Sequence, residues 1–261
     1  MKSNPKIRYY RSYTDDFSQT KKQDYTLPED YEWVREDPLS RFLATLSYAA
    51  AWLFSAVYCR LFLHVRFQNR HILKDTKKTG AFIYGNHTQP IGDVFNPALA
   101  CHPNRIYTLA SPANLGIPVL GRILPYLGAL PIPDSYSGMR KLTKAIEYRL
   151  TQKRCIVVYP EAHVWEYYTG IRPFPNTSFK YPVKYKTPVF AMTTTYRKRR
   201  FFRRPAINIY FDGPFYSDES LSPTQQATEL RDSIFECMKK RSQQSDCEYI
   251  RYEQMPDTLT S

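Results

Sequence analysis

Short, uninterrupted apolar runs are the feature that most constrains the fold of this chain. Residues 81–84 and 155–159 are such runs, and both are rich in β-branched and aromatic residues. A strand that is apolar at every position is buried on both faces, which is typical of a parallel sheet covered by helices. Further strands are predicted at 105–109, 188–196 and 206–211, and helices at 93–100, 137–153 and 222–244. The alternation predicts an α/β fold, with a single mixed, mostly parallel sheet flanked by helices.

An apolar segment precedes this pattern, and we assign it to a membrane-associated helix over 39–68. Residues 42–59 carry no charge. A bilayer span needs roughly 20 apolar residues, so the length is marginal. Three interpretations stay open: an amphipathic helix in the membrane interface, a true span, or a buried core helix. Arginines flank both ends, which favours the cytoplasmic face of a membrane in either membrane case.

Composition limits the class of protein and its partners. Lys plus Arg number 37 against 24 Asp plus Glu, a net charge of +13. So basic a surface favours anionic partners such as phospholipid headgroups or nucleic acid. Five scattered cysteines without a CxxC pair indicate reduced thiols rather than a zinc site or a disulfide framework.

We divide the chain into a Tyr-rich arm that packs on the domain (1–38), the apolar helix, an α/β domain (69–244) and a C-terminal tail (245–261). The segment after Met1 lacks an apolar run, so a secretory signal is not expected there.

The first candidate site follows the strand at 81–84, where Asn86 and His87 precede Asp93. An imidazole can take a proton from a hydroxyl, and a carboxylate can fix its tautomer and stabilise the imidazolium. This pair therefore predicts a base that activates an alcohol. The alternative is structural, with His87 capping a turn and Asp93 capping the next helix.

The second candidate site follows the strand at 155–159, where Glu161 and His163 occur. Ligands of open α/β sheets bind outside the carboxyl ends of the strands, so both sites are expected to face one crevice. The alternative for Glu161 is a helix cap or a surface carboxylate. Basic residues predicted near these strand ends are candidates for binding an anionic headgroup, although a solvated face explains them equally well. They are Arg140, Lys141, Arg172, Lys180 and Lys184.

The ordered blocks around these residues resemble the motifs of the glycerolipid acyltransferases, and most nearly those of the 1-acylglycerol-3-phosphate (lysophosphatidic acid) acyltransferases. The blocks are Asn86-His87 with Asp93, Tyr159-Pro160-Glu161, and residues 187–190, and the resemblance covers roughly residues 40–215. It implies transfer of a fatty acyl group from acyl-CoA or acyl carrier protein to a lysophospholipid hydroxyl, without cofactor or metal. It also implies roles for individual residues: a general base, His87; its orienting partner, Asp93; and acceptor-binding residues, Asn86, Glu161, His163, Arg140 and Arg172.

The sequence departs from the family pattern in three places, which suggests a divergent bacterial branch. Five residues separate His87 from Asp93 where the family usually has four, and we expect the backbone freedom of Gly92 to absorb the extra one. The block at 128–134 lacks the family's phosphate-binding arginine, and Pro160-Glu161 is followed by Ala-His rather than Gly-Thr-Arg. These departures affect the acceptor more than the reaction.

A basic, aromatic cluster at 197–204 lies between two predicted strands and is expected to form a hairpin-like connection. It is a solvated loop, a contact with an anionic membrane, or a nucleic-acid site. Three functions follow for the chain: an acyltransferase at a membrane surface, a catalytically silent membrane-binding protein on the same scaffold, or a nucleic-acid-binding protein. The first is the prediction, and no nucleic-acid partner is expected.

Overall fold

The computed structural model describes residues 5–17 and 25–256, and a seven-stranded sheet forms its centre. The strands of the described chain are β1 (Lys6–Tyr10), β2 (Arg66–Gln68), β3 (Ala81–Gly85), β4 (Ile106–Ala110), β5 (Ala129–Pro131), β6 (Cys155–Val158), β7 (Val189–Arg197), β8 (Ala206–Phe215) and β9 (Ile250–Gln254). The α-helices are α1 (Pro38–Leu61), α2 (Thr76–Thr79), α3 (Gly92–Cys101), α4 (Leu120–Ile123), α5 (Tyr136–Thr151), α6 (Lys180–Tyr185) and α7 (Pro223–Ser242). Short 3₁₀ helices occupy Arg70–Asp75, Pro112–Gly116 and Thr177–Phe179.

The central sheet is mixed and mostly parallel, in the order β2-β8-β7-β3-β6-β4-β5. β3 pairs in parallel with β6 and β7, and β4 pairs in parallel with β6 and β5. β8 is antiparallel to β7, and β2 is parallel to β8, so these two strands run the opposite way. The predicted α/β class is therefore confirmed. We call the edge of the sheet at which β3, β6 and β7 end the carboxyl edge.

Helices cover both faces of this sheet, which is why its central strands are apolar throughout. Alternate residues of a strand point to opposite faces. Ile83 and Val157 pack toward α1 and α3, whereas Phe82 and Ile156 pack toward α5 and α7. All four side chains are fully buried, each contributing about 1.5–3 kcal/mol relative to exposure.

Helix α1 begins where the sequence provides a cap and ends earlier than predicted. Asp37 accepts a hydrogen bond from the backbone N–H of Ser40 at 2.8 Å, and Pro38 occupies the first turn, where a missing N–H costs nothing. The helix stops at Leu61, not at 68. His64 has a positive φ of 48°, and the chain then forms β2. Because β2 pairs with β8, residues 66–68 belong to the sheet and not to the helix.

The outer face of α1 is apolar and uncovered. Only Ser55 and Cys59 are buried among its 24 residues. The buried-core interpretation is therefore wrong, and α1 is long and apolar enough to cross a membrane. Whether it spans a bilayer or lies in its interface stays a prediction. Its exposed apolar side chains recur at helical spacing and are Leu39, Phe42, Leu46, Leu53, Phe54, Val57 and Leu61.

A second, two-stranded sheet joins the arm to the segment predicted as a tail. β1 and β9 pair in parallel, so residues 250–254 form a strand rather than part of a tail. Both strands pack around Trp165, whose ring centroid lies 4.8 Å from those of Tyr10 and Tyr252. The predicted packing of the arm on the domain is thus confirmed for the part that is described, whereas 1–4, 18–24 and 257–261 lie outside the described residues.

Candidate active site

His87 lies at the carboxyl edge, directly beyond β3, and Tyr159 lies beside it, directly beyond the neighbouring β6. Parallel pairing in register, with Tyr84 opposite Val158, makes the two strands end together. Thus the two sequence motifs share one edge, as the strand-end rule predicts.

The imidazole of His87 and the carboxylate of Asp93 are in direct contact. Nδ1 of His87 lies 2.8 Å from Oδ2 of Asp93, which confirms the predicted approach. This contact selects the tautomer with the proton on Nδ1 and leaves a lone pair on Nε2. Among the described residues, none hydrogen-bonds Nε2, and the side chain of His87 is 20% exposed. The arrangement can therefore accept a proton from a hydroxyl that reaches Nε2.

Asp93 is fixed by two further donors to the oxygen that contacts His87. It lies in the first turn of α3, and its Oδ2 also accepts hydrogen bonds from the backbone N–H groups of Thr88 and Gln89, each at 2.9 Å. Its side chain is only 2% exposed. A carboxylate near a helix N-terminus with two backbone donors holds one orientation, and so does the imidazole bound to it.

The extra residue between His87 and Asp93 is accommodated without the backbone freedom predicted for Gly92. Gly92 does not have a positive φ, and it is the first residue of α3. Its lack of a side chain matters instead. A Cβ there would lie 3.0 Å from the amide nitrogen of Asn96 and 3.4 Å from Cδ1 of Leu63, just beyond α1. The prediction was wrong in mechanism, because close packing rather than backbone freedom favours a glycine at this position.

Tyr159 packs against the imidazole of His87, a role that was not predicted for it from the sequence. Its ring stacks on that of His87 with centroids 4.5 Å apart and planes 20° apart. Its hydroxyl donates to the backbone carbonyl of Asp93 at 2.6 Å, and burial raises its pKa well above the usual range, so it stays a donor. Gly85 makes the space, because a Cβ there would lie 2.7 Å from the Tyr159 ring. The signal for this role was an aromatic residue directly after the buried strand β6, which neighbours β3.

The backbone of residues 87–89 is held by two further elements. The N–H of Trp165 donates to the carbonyl of His87 at 3.0 Å, and the N–H of Tyr167 donates to that of Thr88 at 2.9 Å. From β7, the hydroxyl of Tyr196 lies 2.6 Å from that of Thr88 and accepts from the Gln89 amide at 2.8 Å. Burial raises the pKa of Tyr196 as well. The turn that carries the dyad is therefore held both by the segment that contains Trp165 and Tyr167 and by β7.

Glu161 and Arg172, both predicted to bind the acceptor, instead bind each other. Their side chains are fully buried and 3.0 Å apart. Glu161 also accepts from the backbone N–H of Arg172 at 2.9 Å and from that of His87 at 3.1 Å. Arg172 donates to the carbonyls of His163 and Tyr13, and its guanidinium lies 4.8 Å from the Trp165 ring centroid. A buried charge is retained only when it is paired, so the pair positions His87 and does not reach solvent.

Asn86 and His163 contact other groups, and Arg140 lies on the helix that follows the distant strand β5. The Asn86 amide pairs with the backbone of Thr194, donating at 3.0 Å and accepting at 2.7 Å, so both its polar atoms are occupied. Nδ1 of His163 lies 3.6 Å from Oδ2 of Asp16. Arg140 is exposed on α5, which follows β5, and that strand lies three positions from β3, roughly 14 Å away.

The other basic candidates form no hydrogen bond or salt bridge with His87 or Asp93 in the described part of the chain. Lys141 donates to the carbonyl of Glu29, and Lys180 and Lys184 are exposed on α6, which leads into the start of β7 and so away from the carboxyl edge. Within the described ranges, no three His, Cys, Asp or Glu side chains come together as a metal site requires. The five cysteines are free thiols.

Comparison with known proteins finds a likeness in structure. No family model and no curated protein matches the sequence. The crystal structure of the 1-acyl-sn-glycerophosphate (LPA) acyltransferase PlsC from Thermotoga maritima is similar, with a TM-score of 0.56 and 15% sequence identity. The match covers 80% of this chain and 83% of that one. At this identity the likeness extends to the fold, so the chain has an acyltransferase-like α/β fold.

Proposed function

We propose that this protein is an acyltransferase that moves a fatty acyl group from acyl-CoA or acyl carrier protein to the hydroxyl of a lysophospholipid such as 1-acylglycerol-3-phosphate. His87 is the general base, and Asp93 orients it. The observation that carries the proposal is the 2.8 Å contact between Nδ1 and Oδ2, together with a lone pair on Nε2 at the carboxyl edge. The similarity in fold to an LPA acyltransferase supports the same reaction class.

The chemistry needs one base and two aligned substrates. Nε2 of His87 takes the proton of the acceptor hydroxyl as its oxygen attacks the thioester carbonyl. The C–O bond forms, the C–S bond breaks, and the thiolate leaves with the proton returned by the imidazolium. Asp93 stabilises the imidazolium between these steps. A positioned base contributes on the order of 10²–10⁴-fold, and alignment of the two substrates supplies much of the remainder.

Apolar surface beside the dyad suits a lipid acceptor. Ile91 and Val94 lie on either side of the start of α3, and their side chains are 49% and 48% exposed. Leu63 lies just beyond the end of α1, and its Cδ1 is 3.4 Å from the position that a Cβ on Gly92 would occupy. The uncovered stripe of α1 thus ends next to the turn that carries His87. We therefore place the reaction at the cytoplasmic face of a membrane, with α1 as the membrane-associated helix.

The experiment is an acyl-transfer assay with labelled acyl-CoA and labelled acyl carrier protein across a panel of lysolipids. Turnover that is lost in His87→Ala and kept in His163→Ala supports the proposal, since the control removes a second histidine at the same edge. Well-folded protein that turns over no donor with any acceptor, while still binding vesicles, would support the alternative of a catalytically silent membrane-binding protein.

A further inference from the structure

The connection between β7 and β8, residues 197–204, is the most concentrated charge on the molecule, and we call it the basic hairpin. The antiparallel pairing of Arg197 with Ala206 at its base confirms the predicted hairpin-like connection. It carries six Lys or Arg residues and two phenylalanines. Phe201 is 82% exposed and Phe202 is 62% exposed, which is uncommon for apolar rings of this size.

The cations of the basic hairpin form no salt bridge with a carboxylate in the described part of the chain. Asp246 accepts a hydrogen bond from the backbone N–H of Lys198 at 2.6 Å, not from its ammonium group. The guanidinium of Arg199 lies 3.8 Å from the Phe202 ring centroid, and that of Arg200 lies 5.2 Å from that of Phe201. Four of the cations, Lys198, Arg200, Arg203 and Arg204, therefore face solvent together with the two rings, as a surface for an anionic partner with an apolar interior.

The basic hairpin is continuous with the uncovered stripe of α1. Arg199 donates to Nε2 of His64 at 2.8 Å, and the rings of His64 and Phe202 have centroids 6.4 Å apart. His64 follows Leu61 and Phe62, whose side chains are 62% and 66% exposed. Since β7 is parallel to β3, the hairpin also projects from the carboxyl edge, the edge that carries His87.

We propose that the basic hairpin docks on the surface of an anionic phospholipid bilayer and, with α1, turns the His87 edge toward the lipid. The arginines bind headgroup phosphates, and Phe201 and Phe202 enter the boundary of the acyl chains. The inference deepens the proposed function and rests on it for the identity of the reacting edge. The exposed phenylalanines and the adjoining apolar stripe favour lipid over nucleic acid, which offers no apolar interior to a helix.

Vesicle flotation with matched charge variants tests the docking. The variant Arg200→Gln/Arg203→Gln/Arg204→Gln changes three exposed side chains and leaves the His64 contact intact. Its control, Lys74→Gln/Lys77→Gln/Lys78→Gln, removes the same charge from exposed residues before β3, at the opposite edge. On vesicles with about 30% phosphatidylglycerol, we expect about 100-fold weaker binding for the hairpin variant and little change for the control. Equal binding of the two variants would overturn the proposal.

Insertion of the rings has its own readout. The emission of the variant Phe201→Trp, with the wild-type spectrum subtracted, is expected to shift to shorter wavelength on anionic vesicles and to return at about 0.5 M salt, where charges are screened. An unshifted spectrum on vesicles that bind the protein would overturn the insertion. Salt-sensitive binding to duplex DNA without vesicle binding would overturn the choice of partner.

Failure of docking and failure of the proposed function are distinguishable. A water-soluble, short-chain lysolipid is assayed without vesicles, where the hairpin variant is expected to retain wild-type turnover. On acceptor embedded in anionic vesicles the same variant is expected to lose most of its rate. Loss of turnover with the soluble acceptor would contradict a docking role, whereas vesicle binding by the wild type that depends on the hairpin supports docking even if no acceptor reacts.

Discussion

Two histidines follow neighbouring strands at the same edge of the sheet, and each lies near an aspartate. His87 is 2.8 Å from Asp93, whereas His163 is 3.6 Å from Asp16. The side chains of the first pair are 20% and 2% exposed, and those of the second are 39% and 23% exposed. The sequence predicted the first pair and did not indicate the second, because Asp16 and His163 lie far apart in the chain.

The first pair is held in place by contacts behind both of its side chains. Asp93 receives two backbone N–H groups and lies in a helical first turn, and the ring of His87 rests on Tyr159. His163 lies on a loop, and Arg172 donates to the backbone carbonyl of His163. This loop therefore helps to hold His87 in position. An imidazole near a carboxylate becomes a base only when both are held in one orientation.

The largest effect is expected for His87→Ala. Removing the ring should lower kcat/KM on the order of 10²–10⁴-fold in the acyl-transfer assay, because the variant loses the base that the proposed function assigns to Nε2. The melting temperature should stay close to wild type, since the side chain is partly exposed. A rate that is unchanged would remove the distinction between the two histidines.

Arg172→Met should act on stability. It leaves the carboxylate of Glu161 buried without its partner, and we expect the free energy of unfolding to fall by about 3–5 kcal/mol in denaturant titration. The double variant Arg172→Met/Glu161→Gln should recover part of that loss, because the uncompensated charge is gone. An unchanged stability with a raised KM would instead return Arg172 to the acceptor-binding role predicted from the sequence.

Asp93→Asn tests the charge behind the base. An amide oxygen in the place of Oδ2 still accepts from Nδ1 and from the two backbone N–H groups, but the negative charge that stabilises the imidazolium is gone, so kcat should fall on the order of 10²-fold with little change in KM. A pH–rate profile should change shape as well, since the imidazolium loses its stabilising charge. An activity equal to that of wild type would mean that His87 needs no charged partner and that the comparison of the two pairs fails.

Tyr159→Phe should have a smaller effect, about 1 kcal/mol or roughly fivefold in kcat. The ring still stacks on His87, but the hydrogen bond to the carbonyl of Asp93 is lost. Tyr185→Phe is the matched control, because its hydroxyl donates to the carbonyl of Thr143 away from the carboxyl edge. If the two variants behave alike, the hydroxyl of Tyr159 has no part in positioning the dyad.

His163→Ala should have the smallest effect, within about twofold in kcat/KM, because its side chain is partly exposed and its contact with Asp16 is long, at 3.6 Å. KM is measured for a phosphate-bearing acceptor and for a neutral lysolipid. A KM that rises at least about tenfold for the phosphate-bearing acceptor alone would show that His163 binds the phosphate.

The fold and the dyad were predictable because they depend on local patterns. The continuous apolar run that became β6 has no stable place except inside a covered sheet, and the spacing of His87 and Asp93 lets a strand–turn–helix unit bring them together. The partnership of Glu161 with Arg172 was not predictable, because a buried arginine and an exposed one look alike in a sequence. The pairing of β1 with β9 was missed since both strands are short, partly exposed and far apart in the chain.

That pairing also affects the order in which the structure forms during synthesis. Arg8 of β1 lies opposite Tyr252 of β9, 244 residues later, and Tyr252 stacks on the Trp165 whose N–H binds the carbonyl of His87. The central sheet can form before residues 250–254 have left the ribosome, but the packing around Trp165 cannot be complete until they have. Under the proposed function, full activity is therefore expected only after β9 has paired with β1, since so distant a contact cannot close earlier.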